Sequence, residues 1–388
     1  MSDPNVQTSG EASRLPVLVV FGTRPEAIKM APLVRALRAS EQLRPVVCVT
    51  EQHQEMLEQV LHFFGLEPEV RLGVMAPGQS PSQVAARILE RLPAVLAQVR
   101  PAAVLVQGDT TTTLAAALAA FHERIPIGHV EAGLRTYRLD APFPEEMNRQ
   151  VVTRLTRWHF APTEWSAGNL AREGVPQQAV HVVGNPVIDA LQWAVGHLGK
   201  HRDSVLPGIE SGGRKLVLVT AHRRENFGAP FVDLCRGLRG IVERNPEVEL
   251  VYPVHLNPAV QEPVRRELDG VPRVHLIPPL AYWELVDMLR RSYLVVTDSG
   301  GIQEEAPTLG KPVVVLRETT ERPEGVKAGT AVLVGTGTEG IVSTVERLLR
   351  DPADYGKMST AHNPYGDGRA CVRIVGVLEA DLCRSGRG

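Results

Sequence analysis

Short runs of Val, Ile and Leu alternate along the chain with longer segments that carry apolar residues at helical spacing. Short apolar runs predict buried strands and the longer segments predict helices, so the alternation is typical of strand-helix units around a parallel sheet. In the first half the predicted strands cover 16–21, 44–49, 103–107, 127–131, 158–161 and 179–183, with helices such as 25–39 and 81–99 between them. An α/β fold is therefore predicted.

The same alternation starts again after a polar, glycine-rich stretch, and the chain is longer than one ordinary core requires. We therefore predict two Rossmann-like, doubly wound parallel-sheet domains. The predicted strands of the second half cover 215–220, 248–253, 274–277, 293–297 and 312–316. The predicted parts are a loose tail at 1–14, an N-terminal domain at 15–185, a C-terminal domain at 186–365, and a helical segment at 366–388 that packs back onto the first domain. Ligands of such sheets bind beyond the carboxyl ends of the strands, so we expect polar strand ends of both domains to share one cleft.

Charge and cysteine usage narrow the class of protein. A formal net charge of −2 predicts no general affinity for nucleic acid or an anionic membrane. Four scattered cysteines, with neither metal-ligand nor redox spacing, indicate reduced thiols. The N-terminal residues lack the basic start and apolar stretch of a signal peptide, and no apolar run is long enough for a membrane helix. A cytoplasmic protein is predicted.

Two strand-to-helix turns have the residues of an anion site. In the first, Gly22 ends a strand, Pro25 suits the first helical turn, and Arg24 and Lys29 add positive charge beside a helix N-terminus. The alternative is an ordinary turn with two solvated bases.

The second turn follows the strand at 293–297 and repeats this arrangement. The Ser299 hydroxyl and the amides of Gly300 and Gly301 can bind phosphate oxygens, while Glu305 lies where a carboxylate can accept two ribose hydroxyls. This turn predicts a nucleotide diphosphate site.

Two further segments match sequence motifs of other protein families, and we interpret both matches as accidental. Residues 298–301 (DSGG) match the nucleophile loop of trypsin-like proteases, but that fold is antiparallel and here the serine opens a helix. Residues 335–340 (GTGTEG) match the dinucleotide-binding spacing, but no strand ending in a ribose-binding acid follows at the required distance. We interpret residues 335–340 as a connecting turn.

Cationic and acidic residues at strand ends supply the candidate chemistry. His222 follows an apolar strand together with Arg223 and Arg224, and His255 follows the next strand, although a lone histidine is as often structural.

Three carboxylates, Asp109, Glu131 and Glu145, are placed at the end of a strand or the start of a helix in the first half. Three acids near one cleft would repel one another and raise the pKa of at least one, which suits proton transfer. Helix capping is the alternative role, and it is strongest for Glu145.

An ordered set of motifs resembles the non-hydrolysing UDP-N-acetylglucosamine 2-epimerases, from about residue 17 to the segment 363–368. The motifs lie at 22–26, 107–112, 129–136, 144–149, 222–226, 298–309 and 320–324. The resemblance implies a glycosyltransferase-B-like fold with the active site in the interdomain cleft and a UDP-binding C-terminal domain. It also implies an isomerase that eliminates UDP to give 2-acetamidoglucal and re-adds it, converting UDP-GlcNAc to UDP-ManNAc for cell-surface polysaccharide precursors.

The resemblance also implies roles for individual residues. The catalytic candidates are Asp109, Glu131, Glu145 and His222, with Asp109 and Glu131 transferring protons and His222 positioning the diphosphate. The substrate-binding candidates are Arg24, Lys29, Leu280, Leu285, Ser299, Gly300, Gly301, Glu305 and Arg322, of which Leu280 and Leu285 line the uracil side. No cofactor and no metal are implied, since the sequence lacks an Asp-x-Asp pair and clustered His or Cys. A homodimer is expected.

Several alternatives stay open. Tyr137 stands where relatives often have Gly, so the loop before Glu145 is not predicted in detail. Gln52 and His53 match a pair used for allosteric activation in some members, whereas Gly78 replaces a basic residue used there. The competing functions are a hydrolysing 2-epimerase, an epimerase of a modified UDP-sugar, a glycosyltransferase that needs an acceptor, and a non-catalytic sugar-nucleotide sensor.

Overall fold

A computed structural model of the chain describes residues 14–50, 54–76, 78–199 and 213–383. The described residues divide into two compact units, the first comprising those within 1–190 and 368–388 and the second those within 191–367. Most of the predicted tail at 1–14 lies outside the described residues. Among the described residues, no helix is both long and apolar enough to cross a membrane.

The first unit is built on a seven-stranded parallel sheet with the order β3-β2-β1-β4-β5-β6-β7. Its strands are β1 (Leu15–Phe21), β2 (Leu43–Val49), β3 (Val70–Arg71), β4 (Ala103–Gln107), β5 (Ile127–Val130), β6 (Trp158–Ala161) and β7 (Val180–Val182). Its helices are α1 (Arg24–Ala39), α2 (Gln54–Phe64), α3 (Pro81–Val99), α4 (Thr111–His122), α5 (Glu145–Leu155) and α6 (Glu164–Arg172). Helix α7 (Pro186–His197) begins in this unit and runs across the division.

The second unit is built on a six-stranded parallel sheet with the order β10-β9-β8-β11-β12-β13. Its strands are β8 (Lys215–Thr220), β9 (Val248–Pro253), β10 (Val274–Ile277), β11 (Leu294–Thr297), β12 (Val313–Val315) and β13 (Ala331–Leu333). Its helices are α8 (Ala229–Arg244), α9 (Pro258–Leu268), α10 (Tyr282–Arg291), α11 (Gly300–Thr308), α12 (Pro323–Ala328), α13 (Thr338–Arg350) and α14 (Pro352–Ser359).

Both faces of each sheet are buried because helices cover them. Along β8, Val217 and Val219 belong to one apolar cluster, while Leu216 and Leu218 belong to another on the opposite face. Alternating side chains point to opposite faces of a strand, so an unbroken apolar run is what a doubly covered parallel strand requires. The predicted α/β class with two parallel-sheet units is confirmed.

The last helix, α15 (Ala370–Leu382), belongs to the first unit. Asp189 accepts hydrogen bonds from the backbone N–H groups of Ala370 (3.2 Å) and Cys371 (3.0 Å), so its side chain caps the start of this helix. The Glu379 carboxylate accepts a hydrogen bond from the Ser40 hydroxyl at 2.6 Å. Both ends of α15 are therefore tied to elements of the first unit.

Each sheet reverses its strand order at one point, between β1 and β4 in the first unit and between β8 and β11 in the second. In open α/β sheets the loops at such a point, beyond the carboxyl ends of the strands, form the ligand site. The segment 335–340 connects β13, at the edge of its sheet, to α13.

Candidate active site

At the reversal point of the first unit, Glu26 joins the loop after β1 to the loop after β4. Its carboxylate accepts hydrogen bonds from the backbone N–H groups of Gly22 (3.1 Å) and Thr23 (2.8 Å) and from the Thr110 hydroxyl (2.8 Å). Burial raises the pKa of Glu26, and these hydrogen bonds act in the opposite direction. Glu26 is thus a structural residue that fixes the first turn of α1 against the first turn of α4.

Glu131 lies directly after β5, and its backbone has a left-handed φ of 64°. The prediction that the strand includes Glu131 was wrong, because a residue with that φ cannot continue a β-strand. The side chain is only 4% exposed and is held by three donors. Lys29 Nζ lies 2.7 Å from Oε1 and 2.6 Å from Oε2, Asn185 Nδ2 donates to Oε1 at 2.9 Å, and Gln107 Nε2 donates to Oε2.

Asp109 lies on the loop after β4 with a side chain that is 27% exposed. Arg149 Nη2 donates to its Oδ2 at 2.7 Å, and Asn148 Nδ2 donates to its backbone carbonyl at 2.8 Å. Burial raises the pKa of Asp109, Arg149 lowers it, and the nearby carboxylates of Glu131 and Glu145 raise it further. Asp109 and Glu131 are thus two carboxylates with different cationic partners and different exposure.

His129, in β5, holds the residue that precedes Asp109. Its Nε2 lies 2.7 Å from the carbonyl oxygen of Gly108, and burial lowers the pKa of the imidazole to about 4. The ring is therefore neutral at pH 7, and its Nε2–H donates to that carbonyl. In the sequence, His129 is recognisable only as part of the motif at 129–136. A histidine within a buried strand is the sequence signal that could have revealed this role, because such a residue faces the Gly108 loop and positions it.

The two adjacent glutamates that open α5 have different roles. Glu145 is half-buried and close enough to Asp109 to raise the pKa of that acid. Glu146 is fully buried and accepts hydrogen bonds from the backbone N–H groups of Thr136 (2.9 Å) and Tyr137 (3.0 Å). Glu146 therefore orders the loop before α5, and Glu145 is the one that joins the acidic group.

Two further basic residues of the first unit have different surroundings. Arg24 is the first residue of α1, half-buried at the N-terminus of that helix. Arg135 is buried and bound to both oxygens of Glu173 (2.6 and 2.9 Å) and to the Thr153 hydroxyl (2.7 Å). Because its donors are used within the fold, Arg135 is a structural residue.

At the reversal point of the second unit, Asp298 joins the loop after β8 to the loop after β11. Its Oδ2 accepts hydrogen bonds from the backbone N–H groups of His222 and Arg223, both at 2.8 Å. The imidazole of His222 is 41% exposed and stacks on His255, with ring centroids 5.3 Å apart and an interplanar angle of 14°. Burial lowers the pKa of His222, and the Asp298 charge opposes this effect.

The loop after β11 leads into α11, and Ser299 is the N-cap residue of this helix. A Cβ atom on Gly300 would lie 2.6 Å from Cζ of Arg322, so only glycine lets that guanidinium pack against the helix start. A Cβ atom on Gly301 would lie 3.7 Å from Oε2 of Glu305. The five predicted residues Ser299, Gly300, Gly301, Glu305 and Arg322 are therefore grouped at the start of one helix.

Arg322 and Glu305 are buried and held in place by neighbours. Arg322 Nη1 donates to Glu321 at 2.9 Å, its Nε donates to Glu304, and its backbone carbonyl accepts from the Tyr365 hydroxyl at 3.1 Å. Burial alone would raise the pKa of Glu321, but Arg322 and Arg317 outweigh it and lower the pKa to about 2. The Tyr282 hydroxyl donates to Glu305 at 3.3 Å.

Leu280 and Leu285 lie in the apolar cluster that α10 and α11 form on one face of the second sheet. Leu280 is buried in that cluster, and Leu285 is partly buried against it. Gln52 and His53 lie outside the described residues, and Gly78 is exposed with a φ of 70°.

Comparison with known proteins gives one consistent result. A family model described as UDP-N-acetylglucosamine 2-epimerase matches residues 35–379. Proteins named UDP-N-acetylglucosamine 2-epimerase from Yersinia pestis and Escherichia coli K12 are each 53% identical, over 375 and 369 residues, with 94% of this chain and 98% of each relative covered. The crystal structure of UDP-GlcNAc 2-epimerase from Neisseria meningitidis bound to UDP-GlcNAc matches with a TM-score of 0.89 and 46% identity, covering 95% of this chain and 100% of that one.

Proposed function

Because the chain belongs to the UDP-N-acetylglucosamine 2-epimerase family, we propose that it interconverts UDP-GlcNAc and UDP-ManNAc without hydrolysing either. The observation that carries the proposal is the pair of carboxylates that follow the neighbouring strands β4 and β5, Asp109 and Glu131, each held by its own cation. Two titratable groups in different environments are what an enzyme needs to remove a proton on one face and return one on the other.

In the proposed reaction one carboxylate removes the proton from C2 of the sugar. The C1–O bond then breaks, its electron pair goes to the β-phosphate oxygen, and a C1=C2 double bond forms to give 2-acetamidoglucal. UDP adds back to C1 while a proton returns to C2 from the opposite face. Asp109 and Glu131 are proposed as the two proton-transfer groups, and the Glu145 charge supports the reaction by raising the pKa of Asp109.

The residues of the second unit are proposed to hold the nucleotide of the same substrate molecule. The Ser299 hydroxyl, the first amides of α11 and the Arg322 guanidinium suit a diphosphate, since donors at a helix N-terminus favour anions. Glu305, at the same helix start, is proposed to accept the ribose hydroxyls. His222 is proposed to position the diphosphate, and Leu280 and Leu285 to line the uracil.

On the sugar side, Arg24 and Lys29 are proposed to contact the substrate. Lys29 already neutralises Glu131, so substrate binding would occur beside a preformed ion pair. The proposal includes a homodimeric state and a cytoplasmic role in making polysaccharide precursors. The free thiols of Cys48, Cys235 and Cys371, all buried, fit a reducing compartment.

Product analysis tests the proposal. Purified protein is incubated with UDP-GlcNAc and no acceptor, and the mixture is separated by anion-exchange chromatography with mass detection. We expect a second UDP-linked N-acetylhexosamine of the same mass and no accumulation of free sugar. Free N-acetylmannosamine with stoichiometric UDP would instead identify a hydrolysing enzyme. A reaction that needs an acceptor would identify a glycosyltransferase.

A further inference from the structure

The two oxygens of the Asp298 carboxylate have different surroundings. The side chain is fully buried, and Oδ2 accepts the backbone N–H groups of His222 and Arg223 and, at 3.3 Å, the Asn226 amide. The other oxygen, Oδ1, has no hydrogen-bond donor among the residues that the structure describes. It lies 3.9 Å from Nδ1 of His222. A buried carboxylate oxygen without a hydrogen-bond donor lowers the stability of the fold. We therefore expect a group that can donate a hydrogen bond to Oδ1.

The Nδ1 atom of His222 is the titratable nitrogen that Oδ1 faces. A movement of about 1 Å by the exposed imidazole would bring the two atoms to ordinary hydrogen-bond distance. The backbone of His222 is already fixed by Oδ2 of the same carboxylate, so only the ring has to adjust. His255 stacks on a face of that ring and leaves its edge free to make this contact.

We propose that Asp298 is a positioning residue that holds His222 with its proton on Nδ1 and leaves Nε2 for the diphosphate of the substrate. This inference rests on the proposed function, because it assumes that a diphosphate binds beside His222. An acidic partner on one ring nitrogen decides which nitrogen of a neutral imidazole carries the proton. Asp298 lies in the motif at 298–309, but no role was predicted for it from the sequence.

The arrangement also predicts how His222 changes charge. Burial, His255 and Arg223 lower the pKa of His222, and Asp298 is the group that raises it. The unliganded ring is therefore neutral at pH 7. When UDP binds, its negative charge favours protonation of Nε2, and the resulting imidazolium lies between the Asp298 carboxylate and the phosphate oxygen that leaves and returns.

Nitrogen-15 NMR of histidine-labelled protein tests the inference directly, with the His222 signals assigned by their loss in H222Q. We expect the proton on Nδ1 in the unliganded wild type and on both nitrogens when UDP is bound at pH 7. In D298N the amide presents a donor to Nδ1, so the proton should move to Nε2. The pH at which UDP-bound His222 loses its second proton should also fall, because the charge that raised its pKa is gone.

Turnover gives the second measurement. The kcat for UDP-GlcNAc should fall about 10²-fold in D298N, while D233N, which removes a carboxylate from an exposed ion pair with Arg236 on α8, should match the wild type. A wild-type His222 that carries its proton on Nε2 would overturn the inference, even if D298N does not fold. An unchanged kcat in folded D298N would overturn it as well. Failure to epimerise UDP-GlcNAc in the wild type would refute the proposed function but leave the tautomer measurement valid.

Discussion

At the scale of single residues, Glu131 combines a left-handed backbone with a buried carboxylate. A non-glycine residue with positive φ stores strain that the surrounding structure must offset, and such positions are concentrated at functional sites. Lys29, Gln107 and Asn185 donate to the Glu131 carboxylate and fix its orientation. The side chain is therefore held in one position despite the strained backbone. This combination is the structural reason to place Glu131 in the chemistry.

Replacement of Glu131 by Gln tests that role. The variant should lose about 10²- to 10⁴-fold in kcat, since a group that transfers a proton has been replaced by one that cannot. Its affinity for UDP should stay within a few-fold of the wild type, because the proposed nucleotide contacts belong to the second unit. The measurements are initial rates and isothermal titration with UDP. Glu58→Gln, which removes an exposed partner of Arg71, is the matched control and should retain full activity. Normal turnover in Glu131→Gln would remove Glu131 from the mechanism.

Replacement of Arg149 tests how the neighbouring cation sets the pKa of Asp109. Burial raises the pKa of Asp109 and the Arg149 guanidinium opposes that effect, so Arg149→Gln should raise the pKa further. If Asp109 acts as a base, the acidic limb of the pH profile of kcat/KM should move to higher pH, because the acid must lose its proton to work. Arg71→Gln, on an exposed ion pair, should leave the profile unchanged. An acidic limb that stays in place in Arg149→Gln would argue that Asp109 is not the titrating base.

At the scale of elements, the join between β1 and α1 depends on close packing at Gly22. A Cβ atom there would lie 2.9 Å from Oγ1 of Thr112 and would overlap Oγ1 of Thr50. Those two hydroxyls are hydrogen-bonded to each other at 3.0 Å, so neither can move without breaking that contact.

Gly22→Ala should therefore lower the free energy of unfolding by about 1–3 kcal/mol, the usual cost of overpacking a core. Gly376→Ala is the matched control, since this exposed position inside α15 has open space where the methyl group would be placed. That change should stabilise the protein by about 0.5–1 kcal/mol. Denaturant unfolding measures both. Equal stabilities for the two variants would contradict the packing account of this turn.

The buried strands could be predicted from the sequence, whereas very short strands and contacts between distant segments could not. Long apolar runs such as 103–107 and 215–220 were predicted with the bounds that the structure has, because burial on both faces leaves a continuous signal. The two-residue strand β3 was not predicted, since a pair of residues carries no period. The donors around Glu131 come from three distant segments, so no local pattern reveals that Lys29, Gln107 and Asn185 meet at one carboxylate.

At the scale of the whole molecule, each unit is a doubly wound sheet whose polar residues gather at the reversal point. Side-chain cations and helix N–H groups surround the proposed diphosphate site. These groups can balance the negative charge of the diphosphate without a metal ion.

We therefore expect epimerisation to be independent of divalent metal. After dialysis against EDTA the initial rate should equal that of untreated protein, and added Mg²⁺ should not raise it. Loss of activity that is restored by one divalent cation would contradict this account of the site. Thermal stability with and without EDTA is the control, because it separates loss of a catalytic ion from loss of the fold.

The most direct test of the central claim is proton NMR of the protein with UDP-GlcNAc in heavy water, following the C2 and anomeric protons. We predict that UDP-ManNAc appears with deuterium at C2, because the proton that returns comes from the second carboxylate, which carries deuterium from the solvent. UDP-ManNAc that retains the original proton at C2, or an unchanged UDP-GlcNAc spectrum, would contradict proton transfer at C2 by Asp109 and Glu131.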